Sequence, residues 1–274
     1  RDNGDNFPEL NQGNRCIETD LHVLRNQKLF NKLESLIESY RYSNALELLK
    51  FEKRFNESEL FNLISVAEAY ASYNLAEVNG LIKKTDLTLP PSEPLQKLVV
   101  AFNNLELKIQ TKEYNDFCIR ITPLFYNLLI EIIGERIIKS ITYKDNNDVK
   151  KIDIKAIDKF PTLKANITDY KVLSPQYMLY LYYDISGNNQ IYKMLNIIRE
   201  VEKKARNKAA HEVGNISEKT IKNLSGHKVE DVIKAFMVVL LNSFNKKIGK
   251  RHLSFYSTIN EMIKAKLNDM KAWK

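Results

Sequence analysis

Residues 189–213 read NQIYKMLNIIREVEKKARNKAAHEV, and this stretch gives the strongest indication of the fold class. Its apolar residues recur every three or four positions, a spacing that aligns them on one face of an α-helix. The next residue, Gly214, is the type that most often ends a helix in a left-handed conformation. The stretch therefore predicts a long helix that buries a face formed by Ile191, Leu195, Ile198, Ala205 and Ala209.

The same helical spacing recurs along most of the chain. Leu29, Leu33, Leu36 and Tyr40 form a comparable stripe. Further helices are predicted over 43–53, 95–112, 123–141 and 255–270. Another is predicted to begin at a capping box formed by Asn56 and Glu59 and to run toward Lys84, and one more to begin at Ser174. A chain of 274 residues with only 8 Gly and 7 Pro has too few turn residues for an all-β protein. We therefore predict an all-α protein, in which a multi-helix region precedes a C-terminal helical bundle.

Two segments depart from the helical spacing. Residues 17–23 alternate between apolar and other side chains, which predicts a short β-strand near the N-terminus. Residues 143–171 are irregular and contain the sequence DNND at 145–148. Because no EF-hand spacing follows these polar residues, we interpret them as a solvated turn rather than a calcium site.

The composition indicates the kind of partner and the environment. The formal net charge is +8 and the isoelectric point is about 9.2, which favours a polyanionic partner, most simply nucleic acid. Cys16 and Cys118 lie far apart, which favours a reducing, cytoplasmic setting without a disulfide framework or zinc knuckle. Charges at Glu131, Glu135 and Arg136 interrupt the most apolar run, so we predict a buried helix there and no membrane span.

One short motif points to chemistry. It is Arg206-Asn207-Lys208-Ala209-Ala210-His211, near the end of the long predicted helix. Arginine can neutralise a phosphate that gains charge, and histidine can transfer protons near neutral pH. Held together, the two can cleave RNA without a metal ion. The chain has no Walker A, GxGxxG or GxSxG sequence, which argues against nucleotide hydrolysis, dinucleotide binding and serine hydrolase chemistry.

A structural explanation of the same residues competes with the catalytic one. Glu202 precedes Arg206 by four residues, the spacing of an ordinary surface ion pair. His211 lies in the last predicted turn, where the helix dipole favours a positive charge. The motif is also so short that about 0.4 matches are expected by chance. Arg15 and His22 match the same spacing, and we attribute this second match to chance.

Helix geometry adds a condition. Residues five apart on a regular helix are separated by about 140° around the axis, so Arg206 and His211 do not share a face. They can converge if the helix loosens near Gly214, or if two copies of the helix meet across a two-fold axis. The motif therefore predicts a composite site at a homodimer interface.

The sequence Arg206-Asn207-x-x-x-His211 resembles the motif of HEPN ribonucleases, in which an arginine and a polar residue precede a histidine. The segments CIETDL at 16–21 and LESLIESYRYSNAL at 33–46 resemble the CRISPR-associated accessory ribonucleases of type III-A systems. In that family a CARF domain that senses cyclic oligoadenylate precedes a helical linker domain and a HEPN domain. The resemblance implies a metal-independent endoribonuclease that cleaves single-stranded RNA in antiviral defence and needs no cofactor.

The resemblance also implies a role for each residue of the motif. His211 is expected to transfer protons, Arg206 to stabilise the phosphorane, and Asn207 to orient the phosphate or the histidine. The RNA backbone is expected to be held by Lys203, Lys204 and Lys208. A solvated helix face explains these lysines equally well.

The resemblance divides the chain into three parts. Residues 1–26 are expected to be the remnant of a CARF-like domain or a linker, 27–115 a helical linker domain, and 116–274 the HEPN ribonuclease domain. The rest of the sensor domain, with its site for cyclic oligoadenylate, is expected to be missing from this sequence.

Two other functions stay open. The first is the HEPN toxin of a toxin–antitoxin pair, although a compact toxin would not need residues 27–115. The second is a non-catalytic helical module that binds RNA or a protein partner, for which Arg206 and His211 are dispensable. His227 and His252 have no motif around them, and we interpret both as surface histidines. Four tyrosines at helical spacing are interpreted as core residues rather than as a stack for bases: Tyr177, Tyr180, Tyr182 and Tyr183.

Overall fold

The computed structural model describes residues 9–52, 58–145, 147–168, 171–211 and 216–272, with the side chains of residues 9–22, 210, 211 and 272 outside the description. In this part of the chain the elements are α1 (Glu9–Glu38), α2 (Tyr42–Lys50), α3 (Glu59–Ala71), α4 (Leu75–Leu81), α5 (Glu93–Gln110), α6 (Tyr114–Ile133), α7 (Glu135–Ile141), β1 (Thr142–Lys144), β2 (Lys150–Ile152), α8 (Pro161–Asn166), α9 (Pro175–Ser186), α10 (Asn189–His211), α11 (Glu218–Ser225), α12 (Val229–Ser243) and α13 (Phe255–Ala272). Short 3₁₀ turns cover Ile82–Lys84, Ile154–Ile157 and Lys250–His252. The prediction of an all-α protein is confirmed.

The helices form two compact units. The first contains residues 1–87 and 256–274, and the second contains residues 88–255. This division differs from the boundary that the sequence predicted at 115/116, because α5 and α6 share one core in which Phe102 and Leu105 cluster with Phe117 and Ile121. The functions assigned to residues 1–26, 27–115 and 116–274 stay predictions.

The first unit is built from two distant parts of the sequence. The Tyr42 hydroxyl donates a hydrogen bond to Asn260 Oδ1 at 2.8 Å, and the rings of Tyr42 and Tyr256 stack with centroids 6.0 Å apart. On α13, Ile259 and Ile263 are fully buried. The last helix is therefore part of the N-terminal unit's core.

The predicted strand at residues 17–23 is wrong, because this segment lies inside α1. Ile17, Leu21 and Leu24 are four and three residues apart, so the segment also satisfies the helical period. Without a partner strand, the helix is the conformation that satisfies its backbone hydrogen bonds.

Two predicted helices have different bounds in the structure. The helix expected from the capping box to Lys84 breaks after Ala71, and α4 begins behind the N-cap Asn74, whose side chain accepts from the Glu77 amide at 3.3 Å. Ser58 caps α3, and Asn56 lies outside the described residues. The helix expected over 123–141 begins at Tyr114 and is interrupted at Gly134, whose φ of 90° belongs to the region that glycine tolerates.

A small hairpin occupies the segment that the sequence analysis found irregular. Strands β1 and β2 pair antiparallel, with Tyr143 opposite Lys151. The Asp145 carboxylate accepts hydrogen bonds from the Asn147 and Val149 amides, each at 3.0 Å, and so stabilises the turn. The turn interpretation of residues 145–148 agrees with this geometry, while Asn146 lies outside the described residues.

Within the described residues, no single helix is long and apolar enough to cross a membrane. One bent pair, α6 with α7, reaches the required length and composition only when its two helices are taken together.

Candidate functional site at the end of α10

Helix α10 is held in the middle of the second unit. It packs against α6, α9, α11 and α12. The predicted apolar stripe is confirmed, since Ile191, Leu195, Ile198 and Ala205 are buried and Ala209 packs against the core. This packing fixes the position of the backbone that carries the Arg206–His211 motif.

A buried polar network lies one turn before the motif. Glu202 is only 5% exposed, and its carboxylate accepts from Thr122 Oγ1 at 2.9 Å and from the Arg199 guanidinium. Arg199 Nε also donates to Gln176 Oε1 at 3.4 Å. These contacts connect α10 to α6 and α9. The surface ion pair between Glu202 and Arg206, which the competing structural explanation of the motif required, does not form, because the Glu202 carboxylate is buried against Thr122 and Arg199.

Arg206 and Asn207 lie on the exposed side of α10. Arg206 Nη1 donates to Asn207 Oδ1 at 3.5 Å, a long contact that leaves most of the guanidinium facing solvent. With Glu202 turned inward, the guanidinium lacks the nearest carboxylate on its own helix. Such an exposed guanidinium can bind a phosphate by two parallel hydrogen bonds.

His211 is the last residue of α10, and its side chain lies outside the described residues. The helix continues without interruption through both Arg206 and His211. Regular helix geometry keeps the two about 140° apart, whereas Asn207 and His211, four residues apart, are only about 40° apart. Asn207 thus contacts Arg206 while sharing the helix face of His211.

The three lysines expected to hold RNA have different environments. Lys203 is exposed, Lys208 is half-buried, and Lys204 forms an ion pair with Glu200 at 2.6 Å. The Lys204 ammonium is also the main cause that lowers the pKa of the Glu200 carboxyl. Exposed pairs of this kind are weak, so Lys204 can exchange its carboxylate for a phosphate.

The N-terminal half of α6 contacts both α10 and the segment that begins at Ile216. Thr122 contacts Glu202, and further back on α6 the Asn115 Oδ1 accepts from the Ile216 amide at 2.9 Å. A concave surface of about 400 Å³ is lined by Lys112, Glu113, Tyr114, Asn115, Asp116 and Ile216. Burial, and then the charges of Glu218 and Glu230, raise the pKa of Tyr114.

The interpretation of His252 as a surface histidine is wrong. His252 is 8% exposed, and its Nδ1 accepts from the Gly249 amide at 3.0 Å while Nε2 lies 3.3 Å from Thr88 Oγ1. His227 is half-exposed and lies near Glu200. Of the four tyrosines, Tyr177 and Tyr182 are buried and the other two are half-buried.

The arrangement combines an exposed guanidinium, an adjacent amide and a histidine position on one rigid helix. In the part of the chain that the structure describes, no group of three His, Cys, Asp or Glu side chains could hold a metal ion. Arg199, Thr122 and Asn115 were not predicted from the sequence to support this site. Glu202 could have indicated them, because this acidic residue lies between Ile198 and Ala205 in the predicted buried stripe and so needs polar partners there.

A family model described as the Cas_Csm6 HEPN domain matches residues 87–264, well over half of the chain and including all of α10. The chain belongs to this family. The match begins where the second compact unit begins and extends into α13. The family resemblance expected from the motif is confirmed.

Two comparisons with individual proteins agree with the family assignment. The CRISPR system endoribonuclease Csm6 of Enterococcus italicus is 22% identical over 278 residues, covering 94% of this chain and 61% of the relative. A solved structure of Enterococcus italicus Csm6 bound to cyclic hexa-2′-fluoro-hexa-dAMP superposes with a TM-score of 0.68 at 20% identity. That superposition covers 88% of this chain and 58% of the other. The chain thus spans about three fifths of the relative's length and shares its fold.

Proposed function

We propose that this chain is an endoribonuclease of CRISPR type III antiviral defence that cleaves single-stranded RNA without a metal ion. One observation carries the proposal: the Csm6 HEPN family match spans the helix that presents Arg206-Asn207-x-x-x-His211. The exposure of Arg206 and the absence of an ion pair with Glu202 support it, because a phosphate can then reach the guanidinium.

The chemistry requires a proton acceptor, a proton donor and a stabiliser of negative charge. A ribose 2′-hydroxyl loses its proton and its oxygen bonds to the adjacent phosphorus, after which the bond from phosphorus to the 5′-oxygen breaks. The products are a 2′,3′-cyclic phosphate and a 5′-hydroxyl. His211 transfers the protons, Arg206 neutralises the phosphorane oxygens, and Asn207 orients the phosphate or the imidazole. Lys203, Lys204 and Lys208 hold the flanking backbone.

The active form is a homodimer in this proposal. Arg206 and His211 lie on different faces of a helix that remains regular through both residues. A two-fold axis next to the end of α10 would bring two arginines and two histidines to one seam. Cyclic oligoadenylate is the activator in this proposal, because the Enterococcus italicus structure is bound to the related cyclic hexa-2′-fluoro-hexa-dAMP.

Cleavage of a fluorescent single-stranded RNA in excess EDTA tests the function. The parent chain should cleave, and His211→Ala and Arg206→Ala should each lower the rate by about 10²–10⁴-fold, because proton transfer or charge stabilisation is lost. Binding of the RNA should persist in His211→Ala. Equal cleavage by parent and variants would contradict the assigned site, and RNA binding without cleavage would favour the non-catalytic module. If the parent is inactive, its molar mass in solution shows whether the dimer is absent, and the whole protein is assayed with cyclic oligoadenylate.

A further inference from the structure

A second cationic surface lies in the loop between α12 and α13, away from the motif in sequence. We define the basic loop as residues 244–252, with the sequence FNKKIGKRH. It carries Lys246, Lys247, Lys250 and Arg251, and all four side chains are exposed. None of the ion pairs formed among the described residues involves these four cations.

No acidic residue close in the sequence offsets the positive charge of the basic loop. Between Asp231 and Glu261 the chain contains no acidic residue, while it contains Lys234 and the four cations of the basic loop. Some exposed lysines elsewhere in the same unit are paired, as Lys144 is with Asp148 and Lys164 with Asp158. Four like charges within six residues repel one another, so the loop carries an electrostatic cost that a bound polyanion would remove.

Several hydrogen bonds, one of them buried, hold the backbone of the basic loop. The His252 ring accepts from the Gly249 amide, and Asn103 Nδ2 donates to the His252 carbonyl at 2.8 Å. The Lys247 and Ile248 amides both donate to the Phe244 carbonyl at 2.8 Å. The cations therefore project from a fixed backbone, and binding does not have to order the loop.

The apolar residues next to these cations point inward. Ile248 is 1% exposed and Leu253 is 2% exposed, while Phe244 packs against the core. A peripheral membrane site usually adds exposed Trp, Phe or Leu side chains to its lysines. A surface with exposed cations and no exposed apolar anchor fits a hydrophilic polyanion better than a membrane.

We propose that the basic loop binds the phosphate backbone of the single-stranded RNA substrate in addition to the α10 site. This inference rests on the proposed function, since it extends the same substrate beyond the α10 site. The loop supplies affinity without reading the bases, because lysine and arginine contacts to phosphates carry no sequence information. Its removal should raise KM and leave kcat unchanged, since the contact is the same before and during the reaction.

The test compares two variants that lose the same charge. The loop variant is Lys246→Gln/Lys247→Gln/Lys250→Gln/Arg251→Gln, which keeps Gly249 and His252. The control variant is Lys139→Gln/Lys144→Gln/Lys155→Gln/Lys164→Gln, four exposed lysines of the same unit. Binding of a fluorescent single-stranded RNA is measured from about 50 to 200 mM salt in a His211→Ala background, and KM and kcat are measured with His211 intact.

Each phosphate contact contributes about 0.7 to the slope of log affinity against log salt for single strands. If all four cations contact phosphates, lowering the salt fourfold should strengthen parent binding about 50-fold more than it strengthens binding by the loop variant. The control variant should retain the parent's slope. Circular dichroism melts confirm that both variants fold.

Each outcome separates the two proposals. If the parent cleaves and the loop and control variants behave alike, the loop proposal is overturned and the proposed function stands. If the parent binds RNA through the loop but neither this chain nor the whole protein cleaves, the loop proposal stands and the proposed function fails. Equal RNA binding by parent and loop variant, with loss of binding to phosphatidylserine vesicles or to an acidic protein, assigns the loop to another partner and overturns the proposal.

Discussion

The buried pair of Arg199 and Glu202 shows how one polar residue in a helix stripe can determine which side chains of the helix stay exposed. Glu202 occupies a position in the buried stripe of α10 at which an apolar side chain is expected. Arg199 and Thr122 donate hydrogen bonds to its carboxylate. A buried carboxylate without a partner is strongly destabilising. The pair thus fixes α10 against α6 and leaves Arg206 without a carboxylate neighbour at this spacing.

We expect Arg199→Gln to lower the free energy of unfolding by about 3–5 kcal/mol, because Glu202 would stay buried without its cation. Adding Glu202→Gln should recover most of that loss, since no buried charge remains and the new side-chain amide oxygen can still accept from Thr122. Urea unfolding of the two variants and the parent measures this. A double variant as unstable as the single one would show that Arg199 acts through packing alone.

At the scale of elements, the 3₁₀ turn Lys250–His252 depends on the protonation of one histidine. Nδ1 of His252 must be unprotonated to accept from the Gly249 amide. Burial, and secondarily the charge of Arg251, lowers the pKa of His252 below its usual value. The native turn therefore selects the neutral ring.

This selection predicts a pH dependence of stability. A histidine in the unfolded chain titrates at about pH 6.5, whereas the folded His252 titrates lower. As the pH falls below about 6.5, the unfolded state binds the proton first and the stability of the second unit decreases. The melting temperature should fall between about pH 7.5 and pH 5.5, a window in which most carboxylates remain ionised.

The variant His252→Gln should lose much of this pH dependence, and His227→Gln should retain it as a matched control. Thermal melts at several pH values check both. A parent whose melting temperature stays constant across this pH window would contradict the neutral-ring interpretation of the turn.

At the scale of the whole molecule, the chain leaves the first unit after Leu87 and returns to it at Tyr256. The core of that unit therefore includes residues separated by more than two hundred positions, such as Tyr42 and Asn260. The family match at 87–264 crosses this boundary, so part of the last helix serves the N-terminal core.

Ile263→Ala should destabilise the first unit by about 2–5 kcal/mol, because truncating a fully buried side chain leaves a cavity. Amide hydrogen exchange should then accelerate in α2 and α3. The control Lys264→Ala removes a surface pair with Glu38 and should cost less than about 1 kcal/mol. Unchanged protection in α2 and α3 of Ile263→Ala would contradict the assignment of α13 to this core.

The fold class and most helices follow from local information. Helical spacing, few glycines and prolines, and the buried stripe of α10 were enough to predict an all-α chain. The motif Arg206-Asn207-x-x-x-His211 was likewise visible in the sequence and carried the family resemblance. The strand predicted at 17–23 failed because alternation over so short a segment also satisfies a helical period, and pairing partners decide between the two.

Long-range packing decided the rest. Sequence spacing suggested that Glu202 pairs with Arg206, but the approach of Thr122 from α6 and the position of Arg199 turn that carboxylate into the core. His252 carries no local sign of burial, because its partners Thr88 and Asn103 lie about one hundred and fifty residues away in the chain. Local sequence patterns were enough to predict the fold class and most of the helices, and to single out the Arg206–His211 motif as the candidate site. Which charges are buried and paired, and which stay exposed, could be seen only in the folded chain, because burial depends on contacts between residues distant in the sequence.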